Sequence, residues 1–93
     1  MKRRTFASVW DALEKTRAEA ANMRARSELM IALRSKIEAW KVSQTDAARR
    51  LSLTQPRLND LMRGRIDKFS LDALVNLAGR AGLSVRLEIE EAA

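Results

Sequence analysis

The chain contains no cysteine and no histidine. The first absence removes disulfides, thiol nucleophiles and cysteine-based metal sites; the second removes the commonest general base and metal ligand. Only three glycines are present, and none sits in a Gly-rich phosphate loop. There are four aromatic residues, two Phe and two Trp, and no aromatic stacking platform for single-stranded RNA sits among the basic residues, so an RNA-binding or scaffolding role is the weaker reading. No apolar run reaches the ~20 residues needed to span a membrane, and the basic start MKRRT leads into an amphipathic segment rather than a signal-peptide core. Asp11, Glu14, Glu19, Glu28 and Glu38 are scattered on helix faces as solvated charges. The expectation is a protein that is not an enzyme, takes no cofactor, metal or small-molecule substrate, and works in the cytoplasm.

What is abundant is positive charge. Eighteen Lys and Arg stand against twelve Asp and Glu, a net +6 over 93 residues, which suits a polyanionic partner. The excess is local: residues 41–68 hold seven basic and three acidic groups, whereas 83–93 hold one and three. A chain of this length makes one small domain with a modest core, for which help from a partner is expected.

The basic stretch contains SQTDAARRLSLTQPRLNDL, Ser43 to Leu61. Ser43 is a good N-cap for a first helix carrying Ala47, Ala48 and Leu51 inward, small where two helices approach closely. Ser52-Leu53-Thr54 forms a turn, and Thr54 caps a second helix that tolerates Pro56 in its first turn and buries Leu58 and Leu61. Leu53 and Leu58 stand at N′ and N4 of that cap, as a hydrophobic staple. Two short helices joined by a three-residue turn are a helix-turn-helix, whose second helix enters the DNA major groove. The alternative is an ordinary helix pair with a solvated polar face.

On this pattern, over roughly Arg26 to Ala81, the chain resembles the XRE family of Cro-type helix-turn-helix repressors. The most specific elements are the paired glutamines Gln44 and Gln55. The resemblance implies that Gln44 binds a phosphate and braces Gln55 on an adenine. One departure is Ser52, where the family usually has glycine; a left-handed serine costs on the order of 1 kcal/mol.

On the outward side of the second helix, Gln55 suits an adenine, Pro56 a thymine methyl and Asp60 a cytosine amino group. Arg57 suits guanine or phosphate, and Asn59 either the groove or solvent. Gln44, Thr54, Arg63, Arg65 and Lys68 are the expected phosphate contacts, Arg65 and Lys68 lying where the family touches the backbone. Arg49 and Arg50 point outward as phosphate contacts or solvated charges alike.

Elsewhere, Phe6, Val9, Trp10 and Leu13 recur at helical spacing over residues 5–14, capped by Thr5. Thr16 and Glu19 form a capping box for a further helix reaching about Lys41, with Met23, Met30, Leu33, Ile37 and Trp40 as its stripe. Gly64 ends the recognition helix. Ser70 caps a last helix, stapled by Phe69 and Leu74, with Leu71, Leu74, Val75 and Ala78 inward and Gly82 as its stop. Residues 83–90 then alternate Leu83, Val85, Leu87 and Ile89 with polar neighbours, the period of a strand. A lone strand leaves its backbone unpaired, so it is expected to pair with a second copy, with Arg86 facing Glu88 of the mate.

The expected fold is all-α: a five-helix repressor-like helix-turn-helix domain with an N-terminal helical arm and a C-terminal β-strand that pairs across a homodimer. Its parts are an arm over 1–23, a DNA-binding domain over 24–82 and a dimerisation strand and tail over 83–93. The wording FASVWDALEKT and EAANMRARSELM, followed by SQTDAARRLSLTQPRLNDLMRGRIDKFSLDAL, resembles antitoxins of the HigA type and their close XRE relatives, which implies repression of its own operon and neutralisation of a RelE/HigB-like mRNA-cleaving toxin. The toxin would bind at Phe6, Val9, Trp10 and Leu13. The other reading is a stand-alone regulator whose N-terminal helix packs near Met23 and Met30 or on its dimer mate.

Overall fold

Between Lys15 and Glu28 the sequence is mostly alanine, arginine, lysine and glutamate, without glycine or proline, so nothing there stops a helix. The computed structural model describes the backbone of residues 2–91 and the side chains of residue 9 and residues 11–91. In it the arm and the long helix are one element: α1 runs from Lys2 to Trp40, 39 residues. This corrects the expected break near residue 16. Thr16 caps nothing; it lies inside α1 and its hydroxyl donates to the Ala12 carbonyl at 2.8 Å, the i−4 bond open to threonine within a helix. At ~1.5 Å per residue α1 is ~58 Å long, and it sets the 60 Å long axis of the molecule.

Among the described side chains of α1, those that pack into the core lie in its C-terminal half. Met30, Leu33 and Ile37 are buried, and Leu29 and Trp40 pack partly against the same core. Met23, expected in that stripe, is exposed because it stands beyond the last residue of the body that could cover it.

The rest of the fold is short helices started by hydroxyl caps. Ser43 Oγ accepts from the Asp46 N–H at 3.1 Å and opens α2, Gln44–Leu51. Thr54 Oγ1 accepts from the Arg57 N–H at 3.3 Å and opens α3, Gln55–Met62. A 3-10 turn, Ile66–Lys68, follows. Ser70 Oγ then accepts from the Ala73 N–H at 3.1 Å and opens α4, Leu71–Arg80. Of the residues expected as staples, Leu58, Phe69 and Leu74 are buried in the core and Leu53 packs partly against it. The core joins Ala47, Ala48 and Leu51 of α2, Leu58 and Leu61 of α3, Phe69, and Leu74, Leu77, Ala78 and Ala81 against α1. The inner face of α4 is rotated from the expected one. Val75 is exposed and Leu71 only half-buried, while Leu77 takes the buried place.

Two expected features are absent among the described residues. There are four α-helices and not five, because the first two are fused. There is also no strand: residues 83–91 have no regular secondary structure. The physical reason is that a strand is completed by a neighbour's donors and acceptors, and a single chain supplies none here. The expected interface set divides accordingly. Leu83 is tied to the body, its N–H donating to the Ala78 carbonyl at 2.8 Å, whereas Leu87 and Ile89 are 82% and 90% exposed.

The turn between α2 and α3 is left-handed at Ser52, φ 55° and ψ 41°. Its N–H and that of Leu53 donate to the Arg49 and Ala48 carbonyls at 3.1 and 2.8 Å, closing the end of α2 in the usual manner of a left-handed stop. A side chain at positive φ is a standing strain. Ser52→Gly is expected to stabilise the fold by ~0.5–1 kcal/mol, read as a raised urea midpoint with an unchanged slope.

Candidate nucleic-acid interface

α3 presents its first turn outward because its third- and fourth-spaced residues, Leu58 and Leu61, are pinned in the core. Gln55 and Pro56 at the helix start are exposed, and Asn59 and Asp60 on the next turn are half-buried. Gln44, Thr54, Arg63, Arg65 and Lys68 are exposed around them. The structure thus brings the sequence-expected readers and anchors to one end of α2, one side of α3 and the turn that follows.

Gln55 is held in place before any ligand arrives. Its Nε2 donates to Thr45 Oγ1 at 3.0 Å. The resemblance implied a brace from Gln44, and the neighbouring threonine makes it instead. An amide nitrogen carries two hydrogens, so one bond to Thr45 leaves Nε2 a second hydrogen and Oε1 its lone pairs. Those are the donor and acceptor that a bidentate contact to adenine requires. Thr45 was not legible as a site residue: on α2 it is simply an exposed polar position.

Arg57 is not placed as a base reader. Its guanidinium lies over the Phe69 ring, 4.0 Å from the centroid, and Nη1 donates to the Lys68 carbonyl at 2.6 Å. Asp60 is also engaged, its Oδ1 standing 3.6 Å from Arg65 Nη1. That pair is partly exposed and carries little stability, but it holds a carboxylate beside a cation at the surface where phosphates would approach. Thr54 spends its hydroxyl oxygen on the α3 cap. Of the two first-helix arginines, Arg49 lies 3.7 Å from the Asp46 carboxylate, and Arg50 stacks over Trp40 at 5.0 Å. Trp40 is half-buried on the core and gives its outer face to that cation.

Sequence reasoning missed Arg26 altogether. From α1 its Nη1 donates to the Ile66 and Phe69 carbonyls at 3.1 and 3.4 Å, and its Nε donates to Asn22 Oδ1 at 2.7 Å. The available signal was a charge four residues before Met30, on the buried stripe of α1. Among the described residues no group of three or more His, Cys, Asp or Glu is arranged to hold a metal. No helix is long and apolar enough to cross a membrane.

A family profile described as a helix-turn-helix domain matches residues 13–90. The chain belongs to the helix-turn-helix domain family. A solved structure described as "Putative XRE Family Transcriptional Regulator" is similar to this helix-turn-helix protein, with a TM-score of 0.72 and 27% sequence identity over 80% of this chain and 83% of that one. No curated protein matches it. The family match begins at Leu13, so Phe6, Val9 and Trp10 lie outside it.

Reading and anchoring, the two roles expected of these residues, can be told apart by measurement. Replacing Gln55 with alanine is expected to cost about 1–3 kcal/mol on a preferred duplex and to relax base preference at one position. Arg65→Ala is expected to weaken all duplexes alike and to flatten the salt dependence of binding by about one unit of slope. Fluorescence anisotropy over a salt series, on the preferred duplex and on single-base variants, measures both.

Proposed function

We propose that this helix-turn-helix protein is a DNA-binding transcription regulator of the XRE kind that represses its own operon as a homodimer and serves as the antitoxin to a RelE/HigB-like, mRNA-cleaving toxin. It is assigned no catalytic role, and its place of work is the cytoplasm. The observation that carries the DNA-binding part is the braced Gln55 at the exposed start of α3, ringed by Gln44, Arg63, Arg65 and Lys68. Gln55, Pro56, Asn59 and Asp60 face the base edges in this reading. The anchors hold phosphates.

The antitoxin part rests on the arm. Val9 and Leu13 are 53% and 50% exposed, on a helix that runs unbroken into the body. That continuity speaks for a use of this stripe other than packing near Met23 and Met30 of the same chain. The side chains of Phe6 and Trp10 lie outside those described and complete the stripe by sequence spacing alone. Contiguous exposed apolar surface on a small protein marks a binding site, and a basic, RNA-cleaving toxin is the partner that the family resemblance implies. Deleting residues 1–16 is expected to abolish neutralisation of the toxin encoded beside it while operator affinity stays near wild type. Growth rescue on co-expression, paired with DNA binding by the purified variant, reads the two apart. Full rescue by the deletion returns the reading to a stand-alone regulator.

Homodimerisation is assigned to the C-terminal segment, where Leu87 and Ile89 stand exposed with unpaired backbone. A second copy would supply both the apolar cover and the missing hydrogen-bond partners. Two-fold symmetry would then match a palindromic site with half-sites ~34 Å apart. Truncation after Gly82 is expected to give a monomer in analytical ultracentrifugation, with operator binding weakened at least ~100-fold because one half-site is lost.

A further inference from the structure

The turn that follows α3 is too weakly built to hold itself. It consists of a three-residue 3-10 helix with no side-chain cap, closed by backbone bonds from Lys68 to Arg65 at 3.1 Å and from Phe69 to Ile66 at 3.3 Å. Short 3-10 turns of this kind have poor hydrogen-bond geometry and little stability of their own. Yet this turn carries Arg65 and Lys68, two of the exposed cations beside the recognition helix.

Two guanidinium groups supply what the turn lacks. From α1, Arg26 donates to the carbonyls of Ile66 and Phe69, and Asn22 fixes the plane of that guanidinium through Nε. From α3, Arg57 donates to the carbonyl of Lys68 and stacks on Phe69, whose ring is itself buried in the core. Three carbonyls within four residues therefore end on guanidinium donors. Bonds of this charged kind are about twice as strong as neutral ones; the Arg26 bonds are part-buried and so less screened, while the Arg57 bond to Lys68 is exposed. Carbonyl oxygens so covered also present less negative potential to an approaching phosphate.

We propose that Arg26 and Arg57 are positioning residues for nucleic-acid binding: together they clamp the 65–69 turn to α1 and α3, so that Arg65 and Lys68 meet phosphates in register with Gln55. The proposal rests on the reading of α3 and this turn as the DNA interface. Neither clamp residue touches DNA in it. A guanidinium stacked on Phe69 and bonded to Lys68 would have to abandon both contacts to reach a base.

The test uses the full chain, duplex DNA selected from a random pool, and Arg57→Gln and Arg26→Gln, each made alone and on an Arg65→Ala/Lys68→Ala background. Alone, Arg57→Gln is expected to lower affinity ~10-fold on preferred and unrelated duplexes alike and to flatten the salt slope by ~1–2 units, as two anchors lose their place. The base preference set by Gln55 stays. On the double-alanine background the same change is expected to have less than a ~2-fold further effect, since the groups it positions are gone. A full ~10-fold loss there would make Arg57 a direct contact and overturn the clamp. A second readout needs no DNA: amide exchange at Lys68 and Phe69 should quicken in both single variants by more than at core amides of α2 and α4, and exchange at the turn that rises no more than in the core overturns the proposal. Arg57→Lys, which keeps the charge over Phe69 but not the planar fork, should fall between wild type and Arg57→Gln; it also serves if the glutamine variant fails to fold. A wild-type chain that selects no duplex would sink the DNA reading itself, leaving the exchange experiment to judge the clamp.

Discussion

The angle at which α3 leaves α2 governs what the exposed surface can do, and that angle is set by a close approach of the two helices. Ala47 and Ala48 are buried on α2, where any larger side chain would push the helices apart in a close-packed interior. Leu51, Leu58 and Leu61 fill the space beneath, with no exposed surface at all. The turn between must then reverse the chain within three residues, which is why Ser52 accepts a left-handed conformation. Its strain is over-determined by the packing on either side. Once those contacts are fixed, Gln55 emerges within reach of Thr45, and no other element needs to hold it.

Arginine is used in this molecule in two distinct ways, and net charge alone does not separate them. Arg63 and Arg65 are exposed along the outer surface and add to the positive potential there. Arg26, Arg57 and Arg80 are turned to the protein's own carbonyls instead; Arg80 of α4 donates to the Leu51 carbonyl at 3.0 Å, at the end of α2 just before the strained Ser52. A five-donor planar group bridges between elements that a backbone turn cannot reach, and lysine could not replace it equivalently. Arg34 shows the same tendency with an imperfect result. Its Nε is buried with no partner, and its guanidinium is packed where a side chain on Gly64 would stand, 3.3 Å from that Cβ position. Glycine at that site therefore answers two demands, the positive φ of 73° and the room for Arg34.

The elements legible in the sequence were those specified by short-range chemistry. Ser43, Thr54 and Ser70 were readable as caps because a hydroxyl before an apolar-periodic run has one common use, and Leu53–Leu58 and Phe69–Leu74 follow from fixed offsets to those caps. The core of α2 and α3 was readable for the same reason. What failed were inferences whose deciding partner is distant or absent. The T-x-x-E spacing at Thr16 mimics a cap, but no turn residue precedes it, and helix propensity carried α1 straight through. The alternation over 83–90 describes a surface with two faces, yet a strand exists only by virtue of a neighbour. The fate of Arg57 depended on Phe69, twelve residues on, and no periodicity encodes that pairing. Arg26 was visible in principle as a charge on a buried stripe, which demands acceptors, though not as to which carbonyls would supply them.

The length of α1 has its own physical logic. Residues Asp11 to Arg24 are all exposed, so their helicity owes nothing to burial. An isolated helix of that length is marginal in water, chiefly because the first turn must be fixed before any bond rewards it. Here that cost is met at the other end: Met30, Leu33 and Ile37 anchor the helix in the core, and each further residue toward the N-terminus only propagates it. The alanines at 18, 20, 21 and 25 are suited to propagation and to little else. Were the stripe on such an extension to meet a partner, as proposed above, it would do so already in helical form, and less ordering entropy would be lost on association than if a coil had to fold on contact. The same continuity ties the stripe mechanically to the body, since Arg26 lies on that helix and reaches the carbonyls of the turn that carries Lys68, with Asn22 one turn earlier accepting from its Nε. The exposed apolar stripe and the residue that holds the 65–69 turn thus lie on one continuous helix.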